Sequence, residues 1–151
     1  NETLMEQEHA AWIDVLKESP IALVPEKANE QHYEVPPRLF ELVLGDRLKY
    51  SSGLWPEGVS SLDESEVAML KLTTDRAGLV DGQDVLELGC GWGSLTLYMA
   101  ECFPKSKITA VSNSNDQRQF IEARCEERNF KNVEIRKDLQ GKNRMIKAQN
   151  A

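Results

Sequence analysis

Three glycines at alternate positions, Gly89, Gly91 and Gly93, follow a short apolar run, Asp84 to Leu88 (DVLEL), and precede Ser94 to Phe103 (SLTLYMAECF). Backbone lacking Cβ atoms turns tightly and lets a ligand lie against bare amides. Where such a turn joins a strand to a helix N-terminus, it suits a polar or anionic group. Glu87 sets a carboxylate beside this loop, able to attract an ammonium group or order a water. A dinucleotide fingerprint would read GxGxxG, with an acid about 20 residues further on at the end of the next strand. Here the third glycine comes one position early, and the next apolar run ends in Val111-Ser112-Asn113 with no acid. Both departures weigh against a nicotinamide dinucleotide. The bland alternative is a glycine-rich turn with no ligand.

The flanking pattern supplies the elements that such a loop needs. Asp81-Gly82 signals a turn, and Asp84 to Leu88 reads as a short buried strand. Ser94 is a candidate cap for the helix that follows, which ends before Pro104. Lys107 to Val111 (KITAV) is a second strand, and Asn115 or Asp116 can cap a helix to about Arg128, with Asn129 at its end. Asn132 to Arg136 (NVEIR) is a third strand. Strand, helix, strand, helix, strand predicts an α/β core of three parallel strands with right-handed crossovers. Upstream the texture is helical: Glu6 to Glu18, then Pro36-Pro37 opening a helix through Leu44, then a helix capped by Ser60 or Ser61 and running to Gly78. A loop rich in proline and charge separates the first two. The expected organisation is a helical segment over 1–80, a strand-and-helix core over 81–138, and a polar tail over 139–151 without strand texture.

The loop reads GCGWGSL, and an E-x-G-x-G-x-G loop after a short strand resembles motif I of class I methyltransferases. With Trp92 between its glycines it is similar to the family of cyclopropane fatty-acid synthases, mycolic-acid methyltransferases and coclaurine-type N-methyltransferases. His32-Tyr33-Glu34 with Val35-Pro36 and Phe40, Lys49-Tyr50-Ser51-Ser52, and Ser112-Asn113-Ser114 with Gln117 carry the same resemblance. It covers about residues 12 to 138 and lies nearest the coclaurine N-methyltransferase branch.

The resemblance implies a Rossmann-like core that binds S-adenosylmethionine and transfers its methyl group. Tyr50 and Ser51 would close over the methionine end, and Glu87 to Gly93 would form the floor, Leu88, Cys90 and Trp92 included. Ser112, Asn113, Ser114 and Gln117 would border the adenosine and ribose, with Asn113 or Gln117 in place of the usual acid. Asp138 and Leu139 fall where the family contacts the adenine. Tyr50, Ser112 and Asn113 each have a plain packing or helix-start alternative, and His32 suits a structural hydrogen bond equally well. Ser52 stands where the cyclopropane synthases carry cysteine, which tilts the implied chemistry from a lipid alkene toward a small amine. The resemblance also implies about seven strands, with catalytic acidic and histidine residues after the third. No catalytic residue is assigned, and a chain ending before the fold is complete is expected.

Bulk properties narrow the remaining classes. In 151 residues, 40% hydrophobic and 28% charged, the composition is that of an ordinary globular domain. A net charge of −7 repels phosphate backbones, and the basic stretch Lys131 to Lys147 has no interleaved aromatics, so no nucleic-acid partner is expected. No apolar run approaches the roughly 20 residues that span a bilayer, and no basic-then-apolar stretch opens the sequence, so neither secretion nor membrane insertion is expected. Cys90, Cys102 and Cys125 lack CxxC spacing and read as reduced thiols, with no metal site and a cytoplasmic location. The partners expected are a small-molecule amine or lipid and, for a shortened chain, a second copy or a full-length paralogue.

Overall fold

The computed structural model describes residues 2–20, 27, 35–128, 130–139 and 141–149. The chain divides into two compact units, Asn1–His32 and Tyr33–Ala151. The sheet-bearing unit thus begins well before residue 81, where the change of sequence texture falls. His32-Tyr33-Glu34 and Asn129 lie outside the described residues.

In the first unit, helix α1 spans Glu2–Glu18 with no glycine or proline inside it. It starts four residues earlier than the apolar spacing suggests. Ser19 closes it, its amide and hydroxyl both donating to the Val15 carbonyl, and Pro20 prevents continuation.

The second unit opens with α2, Pro37–Val43, whose proline occupies the first turn, where no amide is required. Helix α3, Leu62–Arg76, begins in a capping box: Ser61 Oγ accepts from the Glu64 amide, and the Glu64 carboxylate accepts from the Ser61 amide. It ends in a Schellman pair, Gly78 N–H to Asp75 O and Leu79 N–H to Thr74 O, both 3.1 Å.

Strand β1 is Asp84–Leu88, α4 is Ser94–Cys102, β2 is Lys107–Val111, α5 is Asn115–Glu127, β3 is Lys131–Lys137 and β4 is Asn143–Gln149. The sheet order is β1-β2-β4-β3. Strands β1 and β2 pair in parallel, and β4 is antiparallel to both neighbours. The three strands read from the sequence therefore share one direction, but β3 does not touch β2.

The polar tail corrects the sequence reading: it forms β4, which inserts between β2 and β3. A turn at Gly141 (φ 78°) allows it, with the Asp138 amide donating to Lys142 O at 2.8 Å. Of its side chains, Ile146 reaches the core, pairing in register with Ala110 and Ile135, while Lys147 lies on the opposite face.

One face of the sheet packs on α4 and α5 through Leu97, Met99, Ile108, Ala110, Ile121, Cys125 and Ile146. Strand β1 is not buried as expected. Among the described residues it pairs on one side only, and Leu86 and Leu88, on the face away from those helices, are 62% and 76% exposed.

Candidate functional site

The carboxyl ends of β1 and β2 lie side by side, Leu88 opposite Val111, and the glycine loop leaves from that edge. The amides of Gly89 and Cys90 both donate to Val111 O at 3.0 Å, which bends the loop over the end of β2. The left-handed backbone of Gly91 (φ 54°) faces open space, since a Cβ there would meet nothing within 4 Å. Gly93 is different. It takes φ 83° at the N-cap of α4, and a Cβ would lie 2.7 Å from Ile121 Cγ1 on α5. Gly93 rather than Ser94 is thus the cap, because the loop must pass flush against α5. Among the described residues, no side chain caps α4 and the buried Ser94 hydroxyl has no hydrogen-bond partner.

Glu87 points to the helix-covered face, where Thr96 Oγ1 donates to its Oε2 at 2.5 Å. Burial raises its pKa above the ordinary glutamate range, opposed by the Thr96 hydrogen bond and by the charge of Lys49. The same burial, with Glu87 nearby, pushes the Cys90 thiol up to about 12, so this cysteine is an inert packing group. Trp92 is buried between Phe40 and Phe120, with ring centroids 5.1 and 5.4 Å away, in a cluster that includes Leu48. Its ring therefore anchors the loop from the α2 and α5 side.

Leu48 ties a second segment to the loop. It has φ 51°, a left-handed conformation rare for a non-glycine residue and frequent where backbone geometry serves a site. Immediately after it come Lys49, Tyr50 and Ser51. Tyr50 is 67% exposed and meets Phe40 edge-on at 5.4 Å, while Lys49 Nζ donates to Ser51 Oγ. The turn is gripped by Glu66 of α3, a fully buried residue that the sequence reading did not single out. Its Oε1 accepts from the amides of Gly45 (2.9 Å) and Lys49 (3.2 Å), and its Oε2 from Arg47 (3.0 Å). The signal available was a charged residue four positions before Leu70, on the face of α3 that is buried.

At the end of β2, Ser112 and Gln117 are buried and committed to each other, Ser112 Oγ donating to Gln117 Oε1 at 2.9 Å. Ser114, not Asn115 or Asp116, caps α5 by accepting from the Gln117 amide. Asn113 is exposed, and Arg144 of β4 donates to its carbonyl and its side-chain oxygen. The Arg144 guanidinium also pairs with Asp138 Oδ2 at 3.4 Å, while Asp138 Oδ1 accepts from the Lys142 amide. Asp138 and Leu139 follow β3 at the same edge of the sheet as Leu88 and Val111, with β4 intervening. Leu139 is fully exposed. Arg144 escaped the sequence reading because nothing marked the tail as a strand.

Among the described residues no cluster of three or more His, Cys, Asp or Glu could hold a metal ion. No helix among them is long and apolar enough to cross a membrane.

Residues 24–142 match the mycolic acid cyclopropane synthetase family. The (S)-coclaurine N-methyltransferase of Thalictrum flavum subsp. glaucum is 43% identical over 120 residues, which are 80% of this chain and 33% of that protein. A crystal structure of coclaurine N-methyltransferase bound to N-methylheliamine and SAH superposes with TM-score 0.72 and 40% identity, covering 77% of this chain and 33% of that one. A mycolic acid cyclopropane synthase complexed with SAH and CTAB gives TM-score 0.60 and 26% identity over 69% of this chain and 36% of that one. The chain spans about a third of the length of these relatives, and strand β4 lies beyond the residues that match the family.

Proposed function

The chain belongs to the mycolic acid cyclopropane synthetase family, and from that premise we propose that it carries the S-adenosylmethionine-binding part of a small-molecule N-methyltransferase. Its mixed four-stranded sheet and flanking helices form a partial Rossmann-like methyltransferase core. The observation that carries the proposal is the open space over Gly89 and Gly91 at the carboxyl edge of β1, beside a buried carboxylate. That bare backbone fits a ligand lying along the loop, and Glu87 fits an ammonium group at one end of it.

When bound, S-adenosylmethionine supplies a methyl group made electrophilic by its sulfonium. Glu87 would accept a hydrogen bond from the cofactor amino group, with Thr96 fixing the carboxylate. Leu88 to Gly93 form the floor, Trp92 anchoring it from below. Tyr50 and Ser51 cover the methionine end and exclude water. Asn113, exposed and engaged by Arg144, would border the adenosine end, since Ser112 and Gln117 satisfy one another and shape the backbone there together with Ser114. Asp138 and Leu139 border the adenine. Ser52 at the position of the synthases' cysteine favours an amine acceptor over an alkene, and three free cysteines accord with a cytoplasmic location.

Equilibrium dialysis with labelled S-adenosylmethionine tests this reading. Retention displaced by SAH and unaffected by NADH is expected, with little turnover of added amines by this chain alone. Displacement by NADH, or no retention by folded protein, would contradict it.

A second reading rests on the edges of β1 and β3, which no other strand among the described residues pairs, and on exposed Leu86 and Leu88. An unpaired edge with apolar side chains is a template for another strand. It makes the chain an interaction module that pairs with a second copy or a longer paralogue. Light scattering showing a stable monomer would count against it.

A further inference from the structure

We infer that Glu66 is a positioning residue for the proposed cofactor site: its carboxylate preforms the Gly45–Lys49 turn that presents Tyr50 and Ser51. The inference rests on the reading of those two residues as the cover of the methionine end. Three observations converge on it. The turn has no regular secondary structure of its own, yet three of its amides, Gly45, Arg47 and Lys49, all donate to one side chain 17 to 21 residues away. A carboxylate is the side chain suited to this, being acceptor-only with about four lone-pair sites on two oxygens. The middle of the turn, Leu48, holds a left-handed backbone that an isolated peptide would leave. The amides on either side of it are two of those that Glu66 binds.

Leu48 is thereby driven into the cluster with Phe40 and Trp92, which joins the turn to the glycine loop. The charge of Lys49, next in the chain, opposes part of the rise that burial gives the Glu87 pKa. Gly45 completes the fit, because a Cβ there would lie 2.8 Å from Glu66 Oε2 and 2.5 Å from Asp63 Oδ1. Glu66 touches no ligand position in this arrangement and acts only through the turn.

A purely structural Glu66 and a positioning Glu66 differ in what its loss does to a protein that is still folded. Glu66→Gln keeps the shape and one acceptor oxygen but turns an NH2 group toward one of the amides. Ile108→Val, in the core away from the site, serves as a variant of reduced stability. SAH binding is measured by calorimetry at a temperature where circular dichroism shows each protein folded. The expected result is about a tenfold loss of affinity in Glu66→Gln and less than a twofold change in Ile108→Val. Wild-type affinity in a thermally weakened Glu66→Gln overturns the inference and leaves the binding reading standing. Absence of SAH binding by every protein, the wild type included, overturns both.

Hydrogen exchange on the unaltered chain gives a second measurement that does not depend on the variant folding. The Arg47 and Lys49 amides should be protected before any ligand is added, and exchange at the free-peptide rate would overturn the inference.

Discussion

Thr96 Oγ1 donates to the Glu87 carboxylate at 2.5 Å, so the acid beneath the glycine loop is held by the first turn of the helix that the loop enters. Burial nevertheless dominates and raises the Glu87 pKa in the folded state. A folded-state pKa above the unfolded value means that folding favours the protonated form. The stabilising contribution is full below the unfolded value near 4.5 and is lost as pH rises through the raised folded value. Glu87→Gln should therefore flatten this part of the stability–pH profile and raise the melting temperature at pH 7, while weakening SAH binding. A variant less stable than wild type at pH 7 would contradict the assignment of burial as the dominant cause.

Gly91 and Gly93 share a left-handed backbone but not their surroundings. Gly93→Ala incurs roughly 1–2 kcal/mol of backbone strain and about 1–3 kcal/mol of overpacking against Ile121. Gly91→Ala incurs only the backbone part, about 1–2 kcal/mol. Urea melts should rank them in that order. SAH titration should show the reverse contrast per unit of stability lost, because the new methyl at Gly91 projects into open space over the loop.

The three thiols should separate cleanly in a reaction with a disulfide reagent at pH 8. Cys102 is exposed, whereas burial pushes Cys90 up to about 12 and Cys125 to about 11. At pH 8 a thiol of pKa about 12 is ionised on the order of one part in ten thousand. One thiol should react quickly and two only on unfolding; a second fast thiol in folded protein would show that the loop or α5 opens.

Arg144 occupies acceptors on Asn113 and Asp138, two residues proposed to border the adenosine end. Arg144→Met should remove one partner from each and tighten SAH binding by a few-fold at fixed ionic strength. Unchanged or weaker binding would place the adenosine elsewhere or make Arg144 part of its site.

The limits of β1 and β2, a cap of α3 at Ser60 or Ser61 and the proline start of α2 follow from local chemistry, and all were legible in the sequence. So was the glycine loop. Three features were not. Strand β4 carries Met145 and Ile146 side by side between Arg144 and Lys147, so its period-2 signal is faint. Glu66 looks like a surface helix residue until the distant amides that satisfy it are placed around it. The N-caps shifted by a residue or two because several adjacent residues could cap, and the packing of Gly93 on Ile121 decided one of them.

Calorimetric titration of the folded chain with SAH, beside Gly91→Val, decides whether the glycine loop holds the cofactor. Saturable binding near one ligand per chain, abolished when a branched side chain fills the space over Gly91, is the predicted result. No heat from the wild-type chain, or equal binding by Gly91→Val, would contradict the assignment of this loop as the cofactor site.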